Sequence, residues 1–100
     1  MSRIAAYVPD LMDRSKVAAA GDATFAARPA DLAALSEEAD VVVVDLTRPG
    51  VVDVLPDLQG TVIAFANHTA RDAMAAARAA GVEQVMPRSE FFARIDELLG

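Results

Sequence analysis

Asp45 is the residue in this sequence whose type and position most clearly indicate chemistry. It directly follows four consecutive valines at 41–44, and Pro49-Gly50 then turns the chain. An unbroken β-branched run is typical of a strand that is buried on both faces of a parallel sheet. Open α/β sheets bind ligands at the carboxyl ends of their strands, so the sequence places a carboxylate at that edge. A carboxylate there can bind a cation or take part in acid–base chemistry.

Three further side chains are predicted near the same edge. Asp10 follows the first apolar run, His68 the fourth and Arg88 the fifth. Asp45 with Asp10 forms a candidate site for a divalent cation, and Asp45 with His68 forms a candidate metal or acid–base pair. The simpler interpretations are that Asp45 stabilises its own loop, that His68 is a surface or capping residue, and that Arg88 is solvated or pairs with Glu90. The chain has one histidine and no cysteine, so no further His or Cys can complete a metal site.

The elements that must position these residues are read from apolar runs and helical patterns. The predicted strands cover residues 3–8, 23–27, 41–44, 61–65 and 82–86. The predicted helices begin near residues 11, 29, 51, 70 and 89. Strands that alternate with helices require right-handed crossovers, so we expect one α/β domain over residues 1–100 with a doubly wound parallel sheet in the order 2-1-3-4-5.

Capping patterns predict where several helices begin and end. Asp10 is predicted to cap the first helix, and Gly21 to end it in the left-handed conformation. Thr69 is predicted to start a capping box and Ser89 to cap the last helix. Gly81 is predicted to end the alanine-rich fourth helix.

Two apolar patterns predict buried helix faces. Leu11, Met12, Val17 and Ala18 form the expected inner face of the first helix. In the last helix, Phe91, Ile95 and Leu98 recur at the spacing of one face. Because Phe92 adjoins Phe91, we expect one of these two rings to point away from the core, where an exposed ring indicates an interface.

The composition excludes several classes of function. A net charge of −6 without a basic stripe argues against nucleic-acid binding, and the lack of cysteine excludes disulfides and thiolate chemistry. The five glycines are isolated, which argues against dinucleotide and P-loop sites, and no Gly-x-Ser-x-Gly hydrolase motif occurs. No apolar run approaches the roughly 18 residues that span a bilayer. The N-terminus lacks a signal-peptide pattern, so we expect a cytoplasmic protein without membrane contact, and the residue usage indicates a GC-rich bacterial gene.

Three segments resemble the receiver domain of bacterial response regulators. Residues 40–50, Asp-Val-Val-Val-Val-Asp-Leu-Thr-Arg-Pro-Gly, are similar to the segment around the phosphoacceptor aspartate. Residues 62–68, with the alanine-rich helix and Ala80-Gly81-Val82 after them, are similar to the fourth strand and its helix. Residues 86–89, Met-Pro-Arg-Ser, lie where receivers carry a lysine–proline pair. The resemblance covers nearly the whole chain and implies a flavodoxin-like, three-layer sandwich, with Asp45 as the candidate phosphoacceptor and Mg²⁺ as the implied cofactor.

The chain departs from the receiver pattern around that aspartate. Residues 7–10, Tyr-Val-Pro-Asp, stand where receivers place two adjacent acids, so Asp10 is the single acid there. Ala66 stands at the hydroxyl position unless the loop shifts to Thr69, and Arg88 is the residue nearest to the missing lysine. Tyr7 is expected either to fill the volume of a metal ion with its waters or to serve in simple strand packing.

These departures lead to three hypotheses about function. The first is a stand-alone pseudo-receiver that is not an enzyme and binds a protein partner or a second copy through its fourth helix, fifth strand and fifth helix. The candidate interface residues there are Arg78, Gln84, Arg88 and Phe92. The second hypothesis is a response regulator phosphorylated on Asp45, with Asp10 as a metal ligand. The third is a small metal-binding or enzymatic domain that uses Asp45 and His68.

Overall fold

A five-stranded parallel sheet forms the centre of the computed structural model, which describes residues 2–100. Numbered in chain order, the strands are β1 (Arg3–Tyr7), β2 (Asp22–Phe25), β3 (Val41–Asp45), β4 (Thr61–Ala66) and β5 (Gln84–Pro87). Their spatial order is β2-β1-β3-β4-β5, and all neighbouring pairs are parallel. The predicted order is therefore confirmed, and the order reverses between β1 and β3, where open sheets of this kind place their sites.

Helices cover both faces of the sheet and make the fold a three-layer sandwich. They are α1 (Leu11–Ala20), α2 (Leu32–Ser36), α3 (Val51–Val54), α4 (Arg71–Ala79), α5 (Arg88–Ala93) and α6 (Ile95–Leu99). Two 3₁₀ turns, Pro29–Asp31 and Leu55–Asp57, precede α2 and follow α3. In the part of the chain that the structure describes, none of these helices is long and apolar enough to cross a membrane.

The valine strand β3 lies between the two halves of the core. Because side chains alternate along a strand, Val42 and Val44 enter one apolar cluster while Val41 and Val43 enter the other. All four valines are buried, as a central parallel strand requires. The first cluster is completed by residues of α2, α3 and α4, including Leu32, Val51, Met74 and Ala77. The second is completed by residues of α1, β4, α5 and α6, including Val17, Phe65, Phe91 and Leu99.

Helix α1 begins as predicted but presents a different face to the core. The Asp10 side chain accepts a hydrogen bond from the Asp13 backbone nitrogen at 3.0 Å, which confirms the predicted cap. The buried residues of α1 are Asp13 and Val17, which lie one helical turn apart on the same face. Of the predicted inner face, Val17 is confirmed, whereas Leu11 and Met12, 75% and 73% exposed, and the exposed Ala18 are wrong.

Three of the predicted helix ends are also wrong. Gly21 is extended, with φ of −177°, instead of left-handed. Thr69 does not cap α4, which begins at Arg71 without a side-chain cap, and Ser89 does not cap the last helix. Pro87 is extended at the end of β5, and α5 begins at Arg88, directly after it. Ser89 therefore lies within the first turn of α5 and not at its N-cap.

The end of the fourth helix matches its prediction, whereas the last helix does not. Gly81 follows α4 with φ of +100°, a left-handed conformation that favours glycine. The predicted single last helix is interrupted at Arg94, whose φ and ψ of −110° and 13° are not helical, and this residue separates α5 from α6. Phe91 and Leu99 are buried on the two sides of this interruption.

Candidate functional site

A cleft of about 410 Å³ opens at the carboxyl edge of the sheet. Its lining residues are Asp10, Asp13, Asp45, Thr47, Arg48, Phe65, Asn67 and Arg88. The structure therefore brings together Asp10, Asp45 and Arg88, three residues that the sequence placed at this edge. Asp13, Thr47, Arg48 and Asn67 were not predicted as part of the site.

Burial of charge distinguishes this cleft from two others of similar size. Clefts of about 390 and 360 Å³ lie near the amino ends of β4 and β1. The titratable residues that line them, Arg3, Asp22, Glu38 and Glu83, are all exposed. By contrast, Asp13 and Asp45, which are both buried, line the cleft at the carboxyl edge. Burial of a charged side chain costs free energy unless a partner compensates it, and proteins concentrate such side chains at functional sites. This cleft is therefore the candidate site.

The carboxylate of Asp45 is held by the loop that follows it. Its Oδ1 accepts hydrogen bonds from the Thr47 backbone nitrogen at 3.0 Å and from Thr47 Oγ1 at 2.5 Å. Arg48 Nε lies 3.8 Å from Oδ2, a longer ion-pair contact. The Asp45 side chain is only 7% exposed. These contacts agree with the simpler interpretation of Asp45, in which the carboxylate stabilises its own loop.

Asp13 is the principal site residue that sequence reasoning missed. Its side chain is 5% exposed, and its Oδ1 accepts a hydrogen bond from Arg88 Nη2. This hydrogen bond raises the pKa of Arg88, and the nearby Asp10 and Asp45 carboxylates add to the effect. The one-turn spacing from Val17 was the available signal, because it places Asp13 on the buried face of α1.

The proposed pairing of Arg88 with Glu90 is wrong, because both residues have other partners. Arg88 bonds to Asp13, whereas Glu90 Oε2 accepts a hydrogen bond from Arg94 Nη1 at 3.1 Å. Arg94 also bonds to Glu97 through Nε and Nη2, both at 3.2 Å. Arg94 therefore connects α5 to α6 through its two glutamate partners, whereas Arg88 bonds to a carboxylate that lines the cleft.

Asp10 lies at the mouth of the cleft and is exposed. The hydrogen bond from the Asp13 backbone nitrogen lowers the pKa of its carboxyl group, and the Met12 backbone and the charges of Arg88 and Arg48 act in the same direction. Asp10 therefore combines a helix-capping role with a negative charge at the edge of the site.

Aromatic rings connect the cleft to the core. Phe65 of β4 lines the cleft and stacks on Phe91, with ring centroids 4.8 Å apart. Phe92 packs edge-on against both rings and is only half-buried. The guanidinium of Arg88 lies 5.1 Å and the Lys16 ammonium 4.9 Å from the Phe92 centroid. The expectation that one ring points away from the core is therefore wrong, because Phe92 packs against the same apolar cluster that contains Phe91.

Three other predicted site residues lie outside the lining of the cleft. Ala66 is buried at the end of β4, opposite Pro87 of β5. His68 is exposed in the turn after β4, and the cleft is lined by Asn67 in its place. Tyr7 packs half-buried against the cluster that contains Leu32, which agrees with simple strand packing.

The predicted interface residues Arg78 and Gln84 remain predictions. Arg78 is exposed, and its guanidinium donates to the Val85 carbonyl oxygen at 3.4 Å. Gln84 is half-buried at the start of β5. Both residues lie on or beside the α4 and β5 surface, whereas the Arg88 guanidinium is engaged within the cleft.

The cleft does not fit the Mg²⁺ ion that the receiver resemblance implies. Asp13 is bonded to Arg88, Asp45 Oδ1 receives two bonds from Thr47, and Asp10 is bonded to the backbone. Over residues 2–100, no group of three or more His, Cys, Asp or Glu side chains is arranged to hold a metal ion. Mg²⁺ requires nearly octahedral oxygen ligands, and one oxygen of each of these three carboxylates is already bonded to a group of the chain.

Structural comparison finds the same fold in response regulators. The phosphorylated cyanobacterial phytochrome response regulator RcpA superposes with a TM-score of 0.79 at 12% identity, covering 97% of this chain and 90% of RcpA. A response regulator from Hahella chejuensis gives 0.80 at 15% identity, covering 99% and 92%. The receiver domain of the putative regulator NarL from Mycobacterium tuberculosis gives 0.73 at 18% identity, covering 97% and 91%. No family model and no curated protein matches the sequence.

Proposed function

We propose that this chain, which has the fold of response-regulator receiver domains, is a pseudo-receiver that signals through protein–protein contacts. In this proposal the domain is a bacterial, cytoplasmic binding module and not an enzyme. One observation carries the proposal: the buried carboxylates of the cleft are compensated by groups of the same chain. Asp13 is paired with Arg88, and Asp45 is bonded by Thr47 and approached by Arg48.

The electrostatics of phosphoryl transfer support this choice. Transfer to a carboxylate requires cations that offset the phosphoryl oxygens and a nucleophile aligned with the leaving group. In this cleft Asp45 Oδ1 is engaged by Thr47, and the Arg88 guanidinium is engaged by Asp13. Ala66 stands where the resemblance places a hydroxyl residue, so it offers no hydrogen bond to a phosphoryl group. Efficient phosphorylation of Asp45 is therefore disfavoured.

The surface formed by α4, β5 and the start of α5 is the proposed binding face. It contains Arg78 and Gln84, and it lies beside the half-buried Phe92. The proposed partner is another protein or a second copy of the chain. The net charge of −6 favours a basic protein partner and disfavours nucleic acid and anionic membranes.

Phosphorylation can be tested directly on the purified domain. The protein is incubated with Mg²⁺ and acetyl phosphate and then examined by intact-mass spectrometry, with Asp45→Asn as the matched control. We expect no mass increase in either protein. A phosphoryl adduct on the wild type that is absent from Asp45→Asn would overturn the pseudo-receiver proposal in favour of a phosphorylated response regulator.

The binding face can be tested by site-specific photo-crosslinking in living cells. A photoreactive amino acid is placed at position 78 or 84, and as a control at the exposed position 37, which ends α2, a helix that packs on β1 outside the proposed face. We expect a discrete adduct, either with another protein or with a second copy, from positions 78 and 84 in both wild-type and Asp45→Asn backgrounds. Adducts that form equally from position 37, or that require Asp45, would contradict the proposal.

A further inference from the structure

We infer that the guanidinium of Arg88 is the resident counter-cation of the cleft and that, while it is bonded to Asp13, it excludes a divalent metal ion. This inference deepens the proposed function and rests on it, because it identifies the group that makes the cleft independent of metal. It also assigns a role to Asp13, which lies outside the receiver-like motifs of the sequence.

The geometry places Arg88 where the negative charge is greatest. Three carboxylates, those of Asp10, Asp13 and Asp45, line the cleft, and two of them are buried. Arg88 bonds to Asp13, and the charges of the other two carboxylates also favour its protonated form. Arg48, the second cation, is bound more loosely, at 3.8 Å from Asp45. Arg88 is therefore the principal source of positive charge in the cleft.

Packing fixes the position of the Arg88 guanidinium. It lies 5.1 Å from the centroid of Phe92, a ring that packs edge-on against Phe65 and Phe91. The attraction of the ring for the cation and the hydrogen bond to a buried carboxylate both favour one position of the guanidinium. Two contacts therefore hold the guanidinium in the cleft, although the Arg88 side chain is half-exposed.

Competition between Arg88 and a metal ion follows from the chemistry of the shared carboxylate. The Arg88 guanidinium lies against Asp13 Oδ1, so its positive charge repels a dication that approaches the same carboxylate and its nitrogen occupies space beside that oxygen. Mg²⁺ also releases its waters reluctantly and gains little at a site that is already compensated by a guanidinium. Removal of the Arg88 charge would leave three carboxylates with Arg48 as the one cation among the described residues that line the cleft. The electrostatic attraction of the cleft for a divalent ion would then be strongest.

The test is an NMR titration of the full chain with MgCl₂, following backbone amide resonances around residues 10–13 and 45–48. We expect no saturable shifts in the wild type and saturable shifts in Arg88→Gln. Two variants provide matched controls. Arg94→Gln removes an arginine that pairs with Glu90 and Glu97 and does not line the cleft, so it is expected to behave like the wild type. The double variant Asp13→Asn/Arg88→Gln lacks the carboxylate that the first change releases, so it is expected to lose the Mg²⁺ response.

Several outcomes would overturn the inference. Saturable binding of Mg²⁺ at the cleft of the wild type would show that Arg88 does not exclude the ion, and this result stands even if Arg88→Gln fails to fold. An Arg88→Gln variant without a Mg²⁺ response would show that its charge is not the obstacle. Arg88→Lys keeps the positive charge, so it is expected to suppress Mg²⁺ binding, and a response equal to that of Arg88→Gln would count against the inference.

Failure of this inference and failure of the proposed function are distinguishable. Phosphorylation of Asp45 is measured by mass and partner binding by crosslinking, whereas the titration measures metal binding alone. If the wild-type domain binds Mg²⁺ but acquires no phosphoryl group, the inference about Arg88 is wrong and the proposed function still stands. If the wild-type domain binds no Mg²⁺ but its crosslinks are nonspecific, the proposed function is wrong and the inference about Arg88 still stands.

Discussion

Asp13 and Arg88 are 75 positions apart in the sequence, yet the Arg88 guanidinium donates a hydrogen bond to the buried Asp13 carboxylate. The pair joins α1 to the start of α5 across the carboxyl edge of the sheet. It supplies positive charge from within the chain at the place where the receiver resemblance implies a metal ion. The consequences for stability, pH dependence and packing can be measured.

Removal of the Arg88 charge is expected to destabilise the protein more than removal of the Asp13 charge. Arg88→Met replaces the charged side chain with an apolar one, so the Asp13 carboxylate stays buried without its partner, which costs about 1–3 kcal/mol. Asp13→Asn costs less, because the half-exposed Arg88 can be solvated and the amide can still accept a hydrogen bond. Urea unfolding followed by circular dichroism measures both values.

The double variant checks whether these two losses arise from one interaction. Asp13→Asn/Arg88→Met is expected to lose less stability than the sum of the single variants, because neither side chain is left as an uncompensated charge. Additive losses, or an unchanged unfolding midpoint for Arg88→Met, would show that the pair contributes nothing to folding.

Thr47 is expected to stabilise the fold through the Asp45 carboxylate. Thr47→Val removes the 2.5 Å hydrogen bond from Oγ1 but leaves the 3.0 Å bond from the backbone nitrogen. The expected loss is about 1 kcal/mol, since Thr47 is exposed and water can replace part of the interaction. Thr69→Val, at an exposed turn outside the cleft, serves as the control in chemical denaturation. Equal losses in the two variants would indicate a general effect of the substitution.

Asp10 is expected to make the fold sensitive to acid. Its pKa is lowered in the folded state from a usual value of 3.8, chiefly by the hydrogen bond from the Asp13 backbone nitrogen. The unfolded chain therefore binds the proton more readily than the folded chain. The contribution of Asp10 to the free energy of unfolding is complete above the usual pKa of 3.8 and is lost as pH falls through the lower pKa of the folded state.

Two variants separate the cap from the charge in this pH dependence. Asp10→Asn keeps an oxygen that can cap α1 but does not titrate, so its stability should fall less steeply below about pH 4 than that of the wild type. Asp10→Ala loses the cap at every pH. The measurement is a series of urea unfolding curves from neutral to acidic pH, and parallel curves for wild type and Asp10→Asn would refute the expectation.

The neighbouring rings of α5 are expected to differ in their contribution to stability. Phe91 is fully buried and stacks on Phe65, so Phe91→Ala should cost about 3–5 kcal/mol. Phe92 is half-buried beneath Lys16 and Arg88, so Phe92→Ala should cost clearly less. Thermal and urea unfolding give both values, and a loss for Phe92→Ala as large as that for Phe91→Ala would contradict the observed burial.

Local patterns were sufficient to predict most of the backbone. The valine run at 41–44 predicted a central strand because only a strand buried on both faces accommodates an unbroken β-branched segment. Five strands alternating with helices then indicated a doubly wound parallel sheet, and the observed order is the predicted one among the common orders of such sheets. The position of Asp45 at the carboxyl edge followed from the same pattern, as did the Asp10 cap of α1.

The orientation of the helices was less predictable than their positions. In α1 the apolar Leu11 and Met12 are exposed while Asp13 is buried, because the packing of Val17 against the sheet sets which face turns inward. The interruption at Arg94 likewise reflects how Phe91 and Leu99 both reach the core. These outcomes depend on where each helix meets the sheet, and the hydrophobic period of a short helix constrains that only weakly.

By itself, then, the amino-acid sequence determined the sheet, its order and the edge at which a carboxylate lies. Only the tertiary structure decided that Asp13 enters the cleft and that Arg88 is its partner. The physical reason is the range of the interactions. Strands and helices follow from residues a few positions apart, whereas the compensation of a buried charge depends on which distant side chain the folded chain brings within hydrogen-bonding distance.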